Sequence, residues 1–202
     1  MILEPKDFGW QSLHPCMDAA VPSSVHSQCG EDGIIEYATD RFGTPNRIAF
    51  EIGGSDGVWI SNTRALWERG WTVLIADGDK AAIERGANRN EQRVWWTTAT
   101  ATRQTIGGIL RDMGCPDKPT FGVLDVDGQE LWLWRGMLES GIRPRLLLVE
   151  CDANDFDLPE PLEGATTGQA GFTVTAKVGR ELGYEPIARN GINILFARLD
   201  LM

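Results

Sequence analysis

The segment that most constrains this chain is residues 48–57, Ile-Ala-Phe-Glu-Ile-Gly-Gly-Ser-Asp-Gly. An apolar run that closes on a carboxylate and passes at once into a glycine-rich turn is what a buried parallel strand needs where its carboxyl end approaches a ligand. The rest of the chain can be placed relative to that turn.

From Arg47 onward short apolar runs alternate with amphipathic stretches, the pattern of crossover helices on a parallel sheet. The runs are residues 48–52, 72–76, 93–98, 120–124 and 145–149. Before them, Ile34, Ile35, Ala38 and Phe42 share one helical face, with Asp32 as the expected N-cap and Gly43 as the stop. Asp79 is placed to cap the helix after the second run, and Ile106, Ile109, Leu110 and Met113 recur at helical spacing after the third. After the last helix, Asn190-Gly191 between two apolar runs predicts a hairpin with a primed turn, which makes the final strand antiparallel.

With 202 residues and a 42% hydrophobic fraction, the chain suits one domain, 1–202, with an irregular arm over 1–28 and a long acceptor-side loop over 153–170. A net charge of -10, with no basic run to offset it, repels a phosphate backbone, so nucleic acid is not expected as a partner. No run reaches membrane-spanning length and residues 1–10 have no signal-peptide core; a cytoplasmic protein is expected, with no membrane partner. Cys16, Cys29, Cys115 and Cys151 have no metal-finger spacing and read as free thiols. Oligomeric state leaves no trace in the sequence.

A doubly wound sheet binds its ligand over the carboxyl ends of the strands. The residues available there are Glu51, Gly53, Ser55 and Gly57, with Asp77 at the end of the second run, where a carboxylate can accept from both ribose hydroxyls. A dinucleotide site shows G-x-G-x-x-G; here the spacing is E-x-G-x-x-x-G, and Glu51 and Asp56 would oppose a pyrophosphate. These acids suit S-adenosylmethionine, which carries a sulfonium and an ammonium and no phosphate. The competing readings are a nicotinamide-dependent sugar enzyme and a non-catalytic binding module on the same fold.

Taken together, residues 27–33 (Ser-Gln-Cys-Gly-Glu-Asp-Gly), the loop 51–57, Ser61-Asn62-Thr63, Asp77-Gly78-Asp79-Lys80 and Asp125-Val126-Asp127-Gly128 resemble the FkbM-type branch of the class I S-adenosylmethionine-dependent methyltransferases. The resemblance spans roughly Ser27 to Phe196. It implies a Rossmann-like α/β sheet of seven strands in the order 3-2-1-4-5-7-6, the last antiparallel. It also implies donor binding by the loop after the first strand and the acid after the second, and O-methylation of a small hydroxylated acceptor, a sugar or secondary metabolite. Where relatives carry an amide two residues after the strand-five glutamate, this chain has Asp152.

A hydroxyl acceptor has to lose its proton, to a side-chain base or with help from a divalent cation. Asp125, Asp127, Glu150 and Asp152 come from adjacent strand ends and form a candidate oxygen site for Mg2+ or a similar ion. In the competing reading Asp125 and Glu150 face the donor or cap helices, with Asp127 as an N-cap. His26 is a candidate base from the arm, and Glu31 a cofactor-side acid if the arm folds over the site. Trp59, directly after the glycine loop, is placed beside adenine or acceptor; Trp67, Trp71, Trp95, Trp96, Trp132 and Trp134 are expected to fill or cover the core.

Overall fold

The structure, a computed structural model, describes residues 9–152 and 157–202. In chain order the elements are β1 (Gln11–Ser12), α1 (Glu31–Phe42), β2 (Ile48–Ile52), α2 (Arg64–Glu68), β3 (Thr72–Asp77), α3 (Lys80–Ala87), β4 (Val94–Thr98), α4 (Ile106–Asp112) and β5 (Phe121–Leu124). There follow α5 (Glu130–Glu139), β6 (Leu146–Glu150), α6 (Phe172–Glu181), β7 (Tyr184–Arg189) and β8 (Asn193–Arg198). One eight-stranded sheet runs β1-β7-β8-β6-β5-β2-β3-β4. Strands β4, β3, β2, β5 and β6 are parallel, and β8 enters antiparallel between β6 and β7.

Seven of these strands stand in the expected order. The eighth, β1, is an addition: Gln11 pairs with Arg189 and Ser12 with Ala188, covering the edge that β7 would otherwise leave open. The arm is therefore less irregular than its sequence suggests, and it also carries a 3-10 turn, Pro15–Met17, whose Met17 is buried. Two residues of strand are too short to show a period.

The sheet is covered on both faces. Phe50, Ile52, Leu124, Trp134, Tyr184 and Phe196 form one core. Ala49, Val73, Ile75 and Val123 meet Ile34 and Ile35 of α1 in the other. Trp134 packs edge-on against Tyr184 and Phe196, with centroids 5.2 and 4.9 Å away. Trp67 and Trp71 are buried as expected, whereas Trp95 is 60% exposed, because it stands on the edge strand β4 with no strand beyond it.

Two local expectations are corrected. Helix α1 starts at Glu31 behind Gly30 (φ 90), so Asp32 lies inside it. Asp32 Oδ2 instead accepts from the backbone N–H groups of Val25, His26 and Ser27, tying the arm down. The β7–β8 hairpin is antiparallel, but neither Asn190 nor Gly191 has positive φ, so its turn is not primed. Asn190 Oδ1 accepts from the N–H groups of Ile192 and Asn193 and shapes the turn with its side chain.

Among the described residues no helix is long and apolar enough to cross a membrane. The four cysteines are free.

Candidate functional site

The carboxyl ends of β2, β3 and β5, with the segment after β4, surround a cavity of about 500 Å³. Gly53, Asp77, Ala99, Thr100, Asp125 and Val126 contribute to its wall, as do Glu163 to Thr166. Gly53 has φ +89, and a Cβ there would lie 1.6 Å from the Asp125 carbonyl oxygen, so only glycine lets the loop pass this close to β5.

Asp77 is held in place by the loop it faces. Its Oδ2 accepts from Ser55 N at 2.8 Å and its Oδ1 from Asp79 N at 2.7 Å. Ser55 adopts φ 49 to present that N–H, a left-handed conformation uncommon outside glycine. A carboxylate offers about four acceptor positions, so each Asp77 oxygen retains capacity for a further donor.

Other residues expected at the cofactor have different surroundings. Glu51 is 2% exposed and both its oxygens are engaged: Oε1 accepts from Asn62 N (2.9 Å), and Oε2 from Ser61 Oγ (2.8 Å) and Thr63 Oγ1 (2.5 Å). It anchors the chain beyond the glycine loop, and burial raises its pKa to about 7. Gly57 (φ +64) has no room for a side chain either, because Trp96 and Ile75 press on it from the core. Glu31 is fully buried: Oε2 accepts from Cys29 N, and Oε1 from the side-chain amides of Asn190 (2.7 Å) and Asn193 (2.9 Å). It clamps the start of α1 to the closing hairpin. His26 Nε2 lies 2.9 Å from Glu68 Oε2 on α2 and does not line the cavity. Trp59 is 77% exposed and also lies off the cavity wall.

The structure brings two of the four strand-end acids together. Asp125 and Glu150 interact side chain to side chain, and burial and then the neighbouring Glu150 raise the Asp125 pKa well above the carboxylate range. Burial also raises that of Glu150, whose Oε2 accepts from Gln169 Nε2. Asp127 is exposed at φ 58. Asp152 donates its N–H to Ala170 O and bridges to Gly171. Among the described residues no three acid, histidine or cysteine side chains are arranged to hold a metal ion.

Sequence reasoning missed two residues. Glu130, 3% exposed, accepts from Val126 N and Gly128 N and so sets the Asp125–Gly128 turn; an acid in the first turn of a helix is a readable signal for such a role. Gln169 lies in the patternless loop and carried no signal. That loop, in its described part 157–170, is latched down: Gly164 N donates to Gln129 Oε1 (2.8 Å), Trp132 Nε1 to Pro161 O (2.9 Å), and Arg135 pairs with Glu160. Residues 153–156 of the expected 153–170 loop lie outside the described residues.

No known family profile matches the sequence, and no curated protein does. Solved structures resemble it in fold. The citrinin polyketide synthase CMeT domain matches with TM-score 0.52 and 11% identity, over 87% of this chain and 55% of that one. The CurJ carbon methyltransferase matches with TM-score 0.53 and 13% identity, over 83% and 52%. Monomeric WbdD matches with TM-score 0.54 and 12% identity, over 93% and 44%. The chain thus spans about half the length of each of these three. Its mostly parallel sheet, closed by an antiparallel hairpin, is the class I methyltransferase fold.

Proposed function

We propose that this chain is an S-adenosylmethionine-dependent methyltransferase that methylates a hydroxyl of a small metabolite, a sugar or secondary metabolite, and that it belongs to the FkbM-type branch of the fold. The observation that carries the reading is the cavity at the strand ends, with Asp77 on its wall and Gly53 against β5. About 500 Å³ lies within the range of small-ligand sites. The branch assignment is supported by residues 27–33 and by Asp125-Val126-Asp127-Gly128.

The residues present fit the donor. Asp77 has acceptor capacity for two ribose hydroxyls, and the close pass at Gly53 brings backbone rather than side chain to the ligand. Asp77 and Asp127 on the wall suit a cationic ligand and oppose a pyrophosphate. Arg103, also on the wall, is engaged by Glu139 and Glu163. The antiparallel closing strand further disfavours the nicotinamide reading.

When bound, the donor supplies a methyl group activated by its positively charged sulfur. The chain has to hold the acceptor oxygen in line, exclude water and take a proton. Asp127, exposed and on the cavity wall, is placed to receive that proton; Asp125, whose pKa burial and Glu150 raise, is not. Residues 163–166, on a segment latched to Trp132 and Gln129, line the cavity. A cytoplasmic small-molecule enzyme is the setting this reading implies.

Calorimetry of the full chain with S-adenosylmethionine, S-adenosylhomocysteine and NADH tests the proposal. Binding of the first two and not the third is expected. A folded protein that ignores both adenosyl compounds overturns the proposal. Donor binding without methyl transfer to any hydroxyl compound would favour the non-catalytic module.

A further inference from the structure

Beside the cavity lies a group of acceptor atoms that the donor reading leaves unused. Asp125 stands on the boundary: it lines the cavity, whereas its partner Glu150 does not. Across the sheet, Asn193 of β8 is the direct register partner of Glu150. Directly paired residues share a face, with Cβ atoms about 4.5–5.5 Å apart. Asn193 is 1% exposed, and among the described residues its Oδ1 has no hydrogen-bond partner. Its orientation is determined, because Nδ2 donates to Glu31, and a carboxylate in that place can only accept. The amide oxygen is therefore the atom of this side chain that does not face Glu31, and the side chain shares its face of the sheet with Glu150.

A buried acceptor without a donor costs about 1–3 kcal/mol, so the site calls for a group rich in N–H. The chain supplies part of one: Gln169 Nε2 donates to Glu150, as an N–H of a ligand would. A metal ion fits less well, since among the described residues no three ligating side chains converge.

We propose that the acceptor carries a protonated amine, which docks on Glu150, Asp125 and Asn193 Oδ1, displaces the Gln169 amide and so turns the acceptor's hydroxyl toward the donor cavity. The proposal rests on the methyltransferase reading for the identity of the ligand as acceptor, and on the acceptor-atom geometry alone for the amine.

The test needs no knowledge of the natural acceptor. Propylammonium and 1-propanol, matched in size, are titrated separately into the full chain with S-adenosylhomocysteine present. NMR follows the Glu150 side-chain carboxyl and the Asn193 side-chain amide. Propylammonium should shift both signals and 1-propanol neither. Glu150→Gln should weaken the response about tenfold, the loss expected for one charge-assisted hydrogen bond. Gln169→Ala, which removes the competing N–H, should strengthen it.

A silent titration, an equal response to 1-propanol, or a stronger response to magnesium chloride at equal concentration overturns the proposal. S-adenosylhomocysteine binding is measured separately. Its loss would sink the donor reading, while a silent amine titration with that compound bound would sink only the amine site.

Discussion

Gly53 passes so close to Asp125 that a Cβ on Gly53 would sit 1.6 Å from the Asp125 carbonyl oxygen. This contact joins the glycine loop to the strand end that carries the acid pair. Gly53→Ala meets both that clash and φ +89, so it should lower stability by about 1–3 kcal/mol. The folded fraction should also lose S-adenosylhomocysteine binding, because the loop must move out of the cavity wall. Urea unfolding and calorimetry check the two effects; unchanged binding would show that the loop does not meet the ligand.

Asp77 tests donor recognition more narrowly. Asp77→Ala removes the acceptor for ribose and also the partner of Ser55 N and Asp79 N. Affinity for S-adenosylhomocysteine should fall about 10- to 100-fold, while Asp77→Asn, which keeps one oxygen, should lose less. Calorimetry of both variants gives the order; equal affinities would remove Asp77 from the site.

Glu31 should behave as a structural clamp. Glu31→Ala leaves the amides of Asn190 and Asn193 and the N–H of Cys29 without a buried acceptor, and should cost about 2–4 kcal/mol. Donor affinity of the protein that remains folded should stay within about twofold, a change of less than half a kcal/mol. A large affinity loss at unchanged stability would return Glu31 to the cofactor site.

These residues show what the sequence made legible. Asp77 was readable because a strand end followed by a helix cap fixes where its carboxylate stands, and the structure keeps it on the cavity wall. The antiparallel final strand was readable from two apolar runs around Asn190-Gly191, but the turn type was not, because the Asn190 side chain replaces the primed backbone. Glu31 was misplaced for a different reason: its partners lie 159 and 162 residues away, and no local pattern reports them. Glu51 was read as facing the ligand, yet strand alternation sets it opposite Ile52, under Ser61 and Thr63. Gln169 sits in a loop without period, where only the fold reveals its contact with Glu150.

Glu51 also predicts a pH dependence of stability. Burial, partly offset by hydrogen bonds from Thr63, Asn62 and Ser61, raises its pKa from 4.5 to about 7. A carboxyl raised in the folded state binds more protons there than when unfolded, so its contribution is fully present below the unfolded pKa of 4.5 and is lost as pH rises through about 7. Between pH 5 and pH 8 the protein should therefore lose stability, by an amount on the order of 1–3 kcal/mol from this group. Glu51→Gln cannot ionise, and should flatten that part of the profile even if its amide meets donors at Ser61 and Thr63 and lowers stability at every pH. Urea midpoints of both proteins at intervals across this range measure the slopes; parallel profiles would show that Glu51 is ionised in the folded protein throughout.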